Sequence, residues 1–353
     1  MLVYVLIDIV GKSTVVIDIK MKSVGVRMQI MLRPKILISH PATPQKALDV
    51  LKDKFELVVS QGDPNPTREQ LLKDIKGCAG VLLFGHSKFD KEMMDAAGDS
   101  LKVVGSAAAG YDHIDLPLLR ERGVQVSNTP GLLGPAVAEL SIALLLEVSR
   151  RTLEGYRAIV ENKWIPGHPT WMTGPGLSGK TVGIIGLGAN GFNIAKRIKG
   201  FDIGRLLYND LSELKEKAKQ VDGEFVTKDV LFRESDFVFL GVPLTNLTKN
   251  LVNKEVFKTM KNSSILINTA RGEVVNQDDL VEALQKNIIY GAGLDVMYPE
   301  PLPSDHILTK LPNCVLTPHI GSATIEIREA MLVLAAQNIL NVLTGQPLLT
   351  PIP

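Results

Sequence analysis

Three residues in the last third of the chain, Arg271, Glu300 and His319, have the types that acid–base chemistry on an anionic substrate requires. A planar guanidinium such as that of Arg271 can hold a carboxylate and polarise the adjacent carbonyl. An imidazole can give a proton to a developing alkoxide if a neighbouring carboxylate stabilises its protonated form and fixes its tautomer. The residues therefore predict an anion clamp, Arg271, and an acid–base pair, His319 with Glu300, which together suit hydride transfer to a 2-oxo acid.

A glycine-rich turn near the middle of the chain predicts a dinucleotide site. The apolar run 182–185 leads into Gly186, Gly188 and Gly191, and a helical segment follows. The first glycine allows a tight turn, the second lets the backbone approach a pyrophosphate, and the third lets the helix pack closely on the strand. Asp210 follows about twenty residues later, at the end of the next apolar run, where a carboxylate holds the ribose hydroxyls of a dinucleotide.

The elements that must position these residues alternate between short apolar strands and helices, which is typical of an α/β fold. The sequence predicts strands at 34–39, 55–60, 79–84, 101–105, 125–127, 182–185, 205–210, 237–240, 264–268 and 291–296, and helices at 44–54, 67–75, 90–97, 137–150, 212–219, 253–260, 278–286 and 332–343. Periodicity fades between residues 151 and 179. We expect two lobes, with the dinucleotide unit inserted into the first and the last helix returning to cover that first lobe.

Composition narrows the class of partner and the compartment. The 39 basic and 38 acidic side chains nearly balance, so no excess of positive charge favours nucleic acid or an anionic membrane surface, and a small molecule is the expected partner. The two cysteines, Cys78 and Cys314, form neither a disulfide framework nor a metal-ligand spacing. We therefore expect a cytoplasmic protein without a bound metal.

The first thirty residues differ from the rest of the chain. Their apolar start is interrupted by Asp8, Lys12 and Asp18, so no run reaches the length of a membrane span, and neither a secretory nor a mitochondrial leader is evident. We interpret residues 1–30 as an N-terminal extension of uncertain status, with the domain beginning near Met31.

From about Lys35 onward the chain resembles the D-isomer-specific 2-hydroxyacid dehydrogenases, most closely the glyoxylate/hydroxypyruvate reductases. The resemblance lies in the glycine fingerprint from Gly183, in residues 271–280, in residues 293–303, and in residues 313–324, where Pro-His-Ile-Gly-Ser-Ala-Thr is highly specific. It implies a two-lobed α/β subunit in which a Rossmann dinucleotide-binding domain, residues 132–316, is inserted into a flavodoxin-like substrate domain, residues 31–131 and 317–353. It also implies a homodimer and the NAD(P)H-dependent reduction of glyoxylate to glycolate and of hydroxypyruvate to D-glycerate.

The family roles apply to matching residues of this sequence. Arg271 is expected to bind substrate, Glu300 to support His319, and His319 to donate the proton. The other substrate contacts implied by the resemblance are Ala109, Gly110, Asp295 and Ser322. The expected cofactor contacts are Gly186, Gly188, Ala189, Asn190, Gly191, Asp210, Pro243, Thr269, Asp295 and Gly321.

The choice of dinucleotide depends on Asp210. A carboxylate there hydrogen-bonds a free ribose diol and repels a 2′-phosphate, which favours NAD(H), whereas the resemblance also allows NADP(H). Ala189 and Asn190 depart from the usual Arg-Ile inside the fingerprint, which removes a side-chain contact but keeps the backbone cradle.

Two alternative functions remain compatible with these motifs. One is another dehydrogenase of the same group, acting on a phosphoglycerate or a 2-ketogluconate. The other is a dinucleotide-sensing corepressor, although such proteins carry long flexible extensions and this chain has no low-complexity tail.

Overall fold

The computed structural model describes residues 3–10, 14–21, 26–85 and 87–352, with side chains from residue 33 onward. The chain divides into two compact units: unit 1 comprises Met1–Leu132 and Ile325–Pro353, and unit 2 comprises Leu133–Thr324. The sequence placed the second boundary between residues 316 and 317. In the structure it lies eight residues later in the chain, because the backbone N–H of His319 and that of Gly321 both donate to Asp295, which belongs to unit 2.

A three-stranded antiparallel sheet precedes the predicted domain. Its strands are β1 (Val3–Val10), β2 (Thr14–Met21) and β3 (Val26–Leu32), in the order β1-β2-β3. The interpretation of residues 1–30 as an extension concerns a stretch of which residues 1, 2, 11–13 and 22–25 lie outside the described part, and it remains a prediction.

The rest of unit 1 is built on a five-stranded parallel sheet. Its elements are β4 (Lys35–Ile38), α1 (Gln45–Leu51), β5 (Glu56–Val59), α2 (Arg68–Asp74), β6 (Cys78–Leu83), α3 (Lys91–Ala97), β7 (Val103–Ser106), α4 (Leu116–Glu121) and β8 (Gln125–Ser127). The strand order is β5-β4-β6-β7-β8. This is the flavodoxin-like order, so the predicted fold of this part is confirmed.

Unit 2 is built on a seven-stranded parallel sheet. Its elements are α5 (Gly134–Arg150), α6 (Thr152–Val160), β9 (Thr181–Ile185), α7 (Ala189–Ile198), β10 (Arg205–Asn209), α8 (Lys215–Val221), β11 (Gly223–Phe225), α9 (Lys228–Glu234), β12 (Phe237–Leu240), α10 (Lys254–Thr259), β13 (Ile265–Asn268), α11 (Gln277–Gln285), β14 (Gly291–Leu294) and β15 (Cys314–Leu316). The strand order is β11-β10-β9-β12-β13-β14-β15. The chain moves outward from β9 to β11 and then crosses back to β12, which confirms the predicted Rossmann topology and creates a switch point between β9 and β12.

The central strands of unit 2 are apolar because helices cover both faces of the sheet. Every residue of β12 and of β13 is buried. Helix α5 packs on β13 and β14 and against α7, whereas α9 packs against β9 and β10. Parallel sheets covered on both faces have strands that are continuous hydrophobic runs, which is why these strands could be predicted from the sequence.

The last helix, α12 (Ile325–Leu343), returns to unit 1 and packs on α1, β6 and β7. It lies close to the sheet, since a Cβ on Gly105 would stand 2.6 Å from the carbonyl oxygen of Ala335. The helix begins at Ile325 rather than at the predicted residue 332. The first turn of the helix carries no core-facing periodicity, since its first residue, Ile325, is 84% exposed. Among the described residues, no helix has both the length and the apolar character needed to cross a membrane.

Candidate functional site

The three residues predicted to carry the chemistry follow three neighbouring strands. Strands β13, β14 and β15 are adjacent and parallel. Arg271 lies in the loop after β13, Glu300 in the loop after β14, and His319 in the loop after β15. Because the carboxyl ends of parallel strands meet at one edge of a sheet, the fold brings these loops to the same edge, where open α/β sheets bind ligands.

His319 and Glu300 are in direct contact. Nδ1 of His319 lies 2.8 Å from Oε2 of Glu300. The other carboxylate oxygen, Oε1, accepts the backbone N–H of Met297 at 3.0 Å, so the carboxylate has a fixed orientation. An ionised carboxylate can only accept, so Nδ1 carries the hydrogen of this bond, and Nε2 is the ring nitrogen left for proton transfer to a substrate.

The backbone of His319 adopts a left-handed conformation, with φ of 53°. For a residue other than glycine this conformation costs on the order of 1–3 kcal/mol and persists only where the surroundings impose it. The backbone N–H of His319 donates to the carbonyl oxygen of Asp295 at 2.8 Å, which helps to impose it. The orientation of the imidazole therefore depends on Asp295 as well as on Glu300.

Asp295 lies beneath the loop that carries His319. It is 1% exposed, and its carboxylate accepts hydrogen bonds from three groups of that loop. Oδ1 accepts Thr317 Oγ1 at 2.6 Å and the backbone N–H of Ile320 at 2.8 Å, and Oδ2 accepts the backbone N–H of Gly321 at 2.8 Å. Burial raises the pKa of Asp295, against the opposing effects of these hydrogen bonds and of the nearby His319. In this structure its side chain organises residues 317–321.

Arg271 extends from a turn that Asn268 stabilises. Asn268 Oδ1 accepts the backbone N–H of Ala270 at 3.0 Å, and its Nδ2 donates to the carbonyl oxygen of Arg271 at 2.9 Å. Nη1 of Arg271 donates to the carbonyl oxygen of Ala270 at 2.8 Å. Sequence reasoning missed Asn268, whose signal is an amide side chain at the last position of an otherwise apolar strand.

The turn at Arg271 is pressed against the segment that holds Glu300. A Cβ added to Gly272 would stand 2.2 Å from the carbonyl oxygen of Met297, so only glycine fits there. Met297 is the residue whose N–H binds Glu300. The loop of the guanidinium and the loop of the carboxylate therefore support each other.

The glycine fingerprint has the geometry of a phosphate cradle. Gly186 has φ of 89°, and a Cβ there would stand 2.8 Å from Val242 Cγ1. A Cβ on Gly191 would stand 1.9 Å from the carbonyl oxygen of Gly186, which makes glycine necessary for the helix to pack on the strand. A Cβ on Gly188 would meet nothing within 4 Å, so this backbone faces open space. Helix α7 begins at Ala189 with no side-chain cap, and the N–H groups of its first turn suit an anionic pyrophosphate.

Asp210 is fixed beside this cradle. Its Oδ2 accepts the backbone N–H of Leu187 at 2.9 Å, and its Oδ1 accepts that of Leu211 at 2.8 Å. Lys217 Nζ donates to the carbonyl oxygen of Leu187 at 3.3 Å, which places a cation on the same residue. The carboxylate stands at the end of β10, the position at which a Rossmann fold binds the adenosine ribose.

Most of the other predicted residues lie on loops after strands. Pro243 follows β12, and its carbonyl oxygen accepts Thr248 Oγ1 at 2.6 Å. Thr269 follows β13, and its Oγ1 lies 2.8 Å from Ser141 Oγ on α5. The remaining predicted residues are Ala189 and Asn190 in α7, Gly321 and Ser322 after His319, and Ala109 and Gly110, which belong to unit 1 and follow β7.

Comparisons with known proteins agree with this architecture. Residues 142–321 match the family described as D-isomer specific 2-hydroxyacid dehydrogenase, NAD binding domain. A glyoxylate reductase of Thermofilum pendens is 44% identical over 319 residues, which are 90% of this chain and 93% of the relative. The crystal structure of a Thermus thermophilus protein has a TM-score of 0.84 at 38% identity, covering 90% of this chain and all of the other.

A further solved structure carries a bound dinucleotide. It is an NADPH-dependent glyoxylate/hydroxypyruvate reductase of Sinorhizobium meliloti in complex with NADP and malonate. It has a TM-score of 0.78 at 30% identity, covering 91% of this chain and 97% of the other. The matched family, the identity over most of the chain and the two strand orders lead to one conclusion: the chain belongs to the D-isomer specific 2-hydroxyacid dehydrogenases.

Proposed function

We propose that this chain reduces glyoxylate to glycolate and hydroxypyruvate to D-glycerate with a nicotinamide dinucleotide. The observation that carries the proposal is the 2.8 Å contact between His319 Nδ1 and Glu300 Oε2, at the edge of the sheet where Arg271 also lies. The names of the relatives support the choice of substrates, since they are glyoxylate and hydroxypyruvate reductases.

Arg271 is the substrate clamp in this proposal. Its guanidinium holds the carboxylate of the 2-oxo acid and draws electron density from the neighbouring carbonyl, which prepares the carbonyl carbon for attack. The turn fixed by Asn268 and pressed on Met297 limits where the base of this side chain can lie. In unit 1, the backbone N–H groups of Ala109 and Gly110 are proposed as further donors to the substrate carboxylate.

His319 is the proton donor. A bound dinucleotide would supply the hydride, and negative charge would develop on the former carbonyl oxygen of the substrate. Nε2 of the imidazolium gives its proton to that oxygen, while Glu300 holds Nδ1–H and stabilises the cationic ring before transfer. Asp295 keeps the backbone of the loop in place throughout.

We propose that NAD(H) is preferred over NADP(H). The Asp210 carboxylate is held at both oxygens by backbone N–H groups, so it cannot easily turn away from a ligand at the end of β10. In that position it accepts hydrogen bonds from a ribose diol and repels a 2′-phosphate. Gly186, Gly188 and Gly191, with the first turn of α7, form the pyrophosphate cradle.

We also propose a homodimer in the cytoplasm. Large apolar side chains are exposed on α6 and just after it: Tyr156 at 65%, Ile159 at 60%, Val160 at 67% and Trp164 at 64%. Exposed apolar surface of this kind is typical of a protein interface.

The two cysteines support the proposed compartment. Cys78 and Cys314 are buried free thiols, and burial raises their pKa to about 11 and about 12, as suits unreactive cysteines in a reducing compartment.

A steady-state assay tests the function. Oxidation of NADH and of NADPH is followed with glyoxylate, hydroxypyruvate, 3-phosphohydroxypyruvate and 2-keto-D-gluconate, and the glycerate formed is analysed for handedness. We expect the highest kcat/KM with hydroxypyruvate and glyoxylate, and only D-glycerate. A higher kcat/KM with the phosphorylated or six-carbon acid would select another dehydrogenase of the group, and dinucleotide binding without oxidation would favour a corepressor.

A further inference from the structure

In the loop after β7, hydrogen bonds to two carbonyl oxygens fix the direction of two backbone N–H groups. The carbonyl oxygen of Ala108 accepts the backbone N–H of Thr129 at 2.9 Å, and the carbonyl oxygen of Ala109 accepts Asn128 Nδ2 at 2.7 Å. The peptide groups that contain these carbonyls also contain the N–H groups of Ala109 and Gly110. Both anchoring residues follow β8, the edge strand of the sheet in unit 1.

Anchoring these carbonyls aims the N–H groups. In a planar trans peptide the C=O and N–H bonds point in opposite directions. The cis peptide bonds among the described residues all precede prolines, so both of these peptides are trans. Within the described part of the chain, the N–H of Ala109 and that of Gly110 donate to no other group. The two donors therefore point away from residues 128 and 129, as a pair suited to a carboxylate.

The segment 349–352 holds Asn128 in turn. Thr350 Oγ1 donates to the carbonyl oxygen of Asn128 at 2.6 Å, and the backbone N–H of Asn128 donates to the carbonyl oxygen of Thr350 at 3.3 Å. Ile352 adds a bond from its N–H to the carbonyl oxygen of Val126 at 3.1 Å. This segment thus extends the edge strand β8 with a short antiparallel pairing.

Asn338 of α12 fixes Thr350. Asn338 is fully buried, and its Oδ1 accepts the backbone N–H groups of Leu349 at 2.8 Å and of Thr350 at 3.1 Å. Its Nδ2 donates to Thr350 Oγ1 at 3.0 Å and to the carbonyl oxygen of Leu334 at 2.9 Å. A buried amide with both of its polar ends bonded is costly to disturb. One chain of hydrogen bonds therefore runs from α12 through Thr350 and Asn128 to Ala109.

We propose that Thr350 is a positioning residue for the substrate carboxylate: held by Asn338, it fixes Asn128 and thereby aims the N–H groups of Ala109 and Gly110. The inference rests on the proposed function, which gives these N–H groups the carboxylate of a 2-oxo acid. It adds a part of unit 1 distant in sequence to the determinants of substrate affinity. It predicts an effect on substrate binding separate from dinucleotide binding, because the glycine cradle belongs to unit 2.

Thr350→Val, which has nearly the same shape but lacks the hydroxyl, tests the proposal. Valine loses the bond to the carbonyl oxygen of Asn128 and the bond from Asn338 Nδ2. The weaker anchoring of Asn128 should raise KM for hydroxypyruvate and glyoxylate about 3- to 10-fold. We expect kcat within about twofold of the parent value, because this binding is lost equally from ground and transition states. The Kd for NADH, measured by quenching of protein fluorescence, should be unchanged.

Two further variants provide the controls. Thr350→Ser restores the hydroxyl and should restore KM. Thr344→Val removes a hydroxyl that bonds to Leu340 near the end of the same helix, and KM should stay at the parent value. If KM does not change in Thr350→Val, or if Thr344→Val raises it equally, the positioning role is wrong. The same holds if Kd for NADH rises in step with KM.

A binding measurement separates this inference from the proposed function. Oxalate is titrated into the full-length protein while the amide resonances of Ala109 and Gly110 are followed by NMR. We expect these resonances to move in the parent protein and the oxalate affinity to fall about 3- to 10-fold in Thr350→Val. If the parent protein reduces no 2-oxo acid but shows these resonance shifts and the weaker oxalate binding of Thr350→Val, only the proposed function is contradicted. Amides that ignore oxalate in an active parent would contradict the inference alone.

Discussion

Oε2 of Glu300 lies 2.8 Å from Nδ1 of His319, while Oε1 of the same carboxylate is held by the backbone N–H of Met297. Both of its oxygens are therefore engaged before any ligand is considered. Glu300 fixes the tautomer of the His319 imidazole. The carbonyl oxygen of Asp295 helps to fix the backbone conformation of His319. From this arrangement we derive one prediction each for the Glu300 carboxylate, the Arg271 guanidinium and the buried Asp295.

Glu300→Gln should weaken catalysis without changing dinucleotide affinity. A neutral amide no longer stabilises the imidazolium, and it has one acceptor oxygen for two donors, Met297 N–H and His319 Nδ1–H. We expect kcat to fall about 10- to 100-fold, which is at or below the lower limit of the range for general acid catalysis. Steady-state kcat and the Kd for NADH test this, with Glu255→Gln on the exposed surface as the control.

Arg271→Lys tests whether substrate binding needs the planar guanidinium of Arg271 or only its positive charge. Lysine keeps the positive charge but loses the planar fork that binds a carboxylate with two parallel bonds. We expect kcat/KM for hydroxypyruvate to fall about 10- to 100-fold, the loss of a charge-assisted hydrogen bond. Arg233→Lys, at an exposed position, should retain parent kinetics. Unchanged kcat/KM in Arg271→Lys would remove Arg271 from substrate binding.

Asp295→Asn should destabilise unit 2. Its amide nitrogen would face the N–H of Gly321 or the donors at Oδ1, leaving a buried donor unsatisfied at a cost of about 1–3 kcal/mol. Burial raises the folded-state pKa of Asp295 above the usual 3.8, so the unfolded chain ionises first as pH rises. The group's contribution to stability is therefore greatest below that usual value and is lost as pH rises through the folded pKa.

Urea unfolding at acidic and neutral pH measures both effects. The deficit of Asp295→Asn relative to the parent should be larger at the acidic pH, and kcat should fall because residues 317–321 lose their anchor. Asp305→Asn, at an exposed position in the loop after β14, is the matched control and should change neither quantity. A variant as stable and as active as the parent would show that the carboxylate does not organise this loop.

Asp210→Gly should shift the choice of dinucleotide toward NADPH. The substitution removes the negative charge that repels a 2′-phosphate. It leaves in place the positive charge of Lys217, whose Nζ donates to the carbonyl oxygen of Leu187. We expect the ratio of kcat/KM for NADPH to that for NADH to rise about tenfold or more, corresponding to about 1.4 kcal/mol. Glu213→Gln, a nearby acidic position, should leave the ratio unchanged. A parent enzyme that already prefers NADPH by a wide margin would refute the role of Asp210.

Five of the seven strands of unit 2, namely β9, β10, β12, β13 and β14, could be predicted from the sequence because the sheet is covered on both faces and their runs are largely apolar. The runs ending at Ile185, Leu240 and Asn268 are continuous and apolar, and their order along the chain was enough to bring Arg271 to the expected edge of the sheet. The glycine fingerprint was equally readable, since Gly186 and Gly191 each meet a steric requirement that other residues cannot satisfy.

Other features have no local signal. Helix α6 was missed because only Ala158 is buried in it, so its apolar residues do not repeat as a core-facing stripe. Helices α4 and α9 and the short strands β11 and β15 were missed as well. The roles of Asn128, Asn338 and Thr350 depend on pairings between residues far apart in sequence, which only the folded chain brings together.

The central claim is that His319, paired with Glu300, donates the proton during reduction. The direct measurement is kcat of His319→Gln with saturating hydroxypyruvate and NADH, together with Kd for NADH in the same variant. We predict a fall in kcat of about 10²- to 10⁴-fold with Kd for NADH unchanged. A variant that keeps kcat within a few-fold of the parent value would contradict the account.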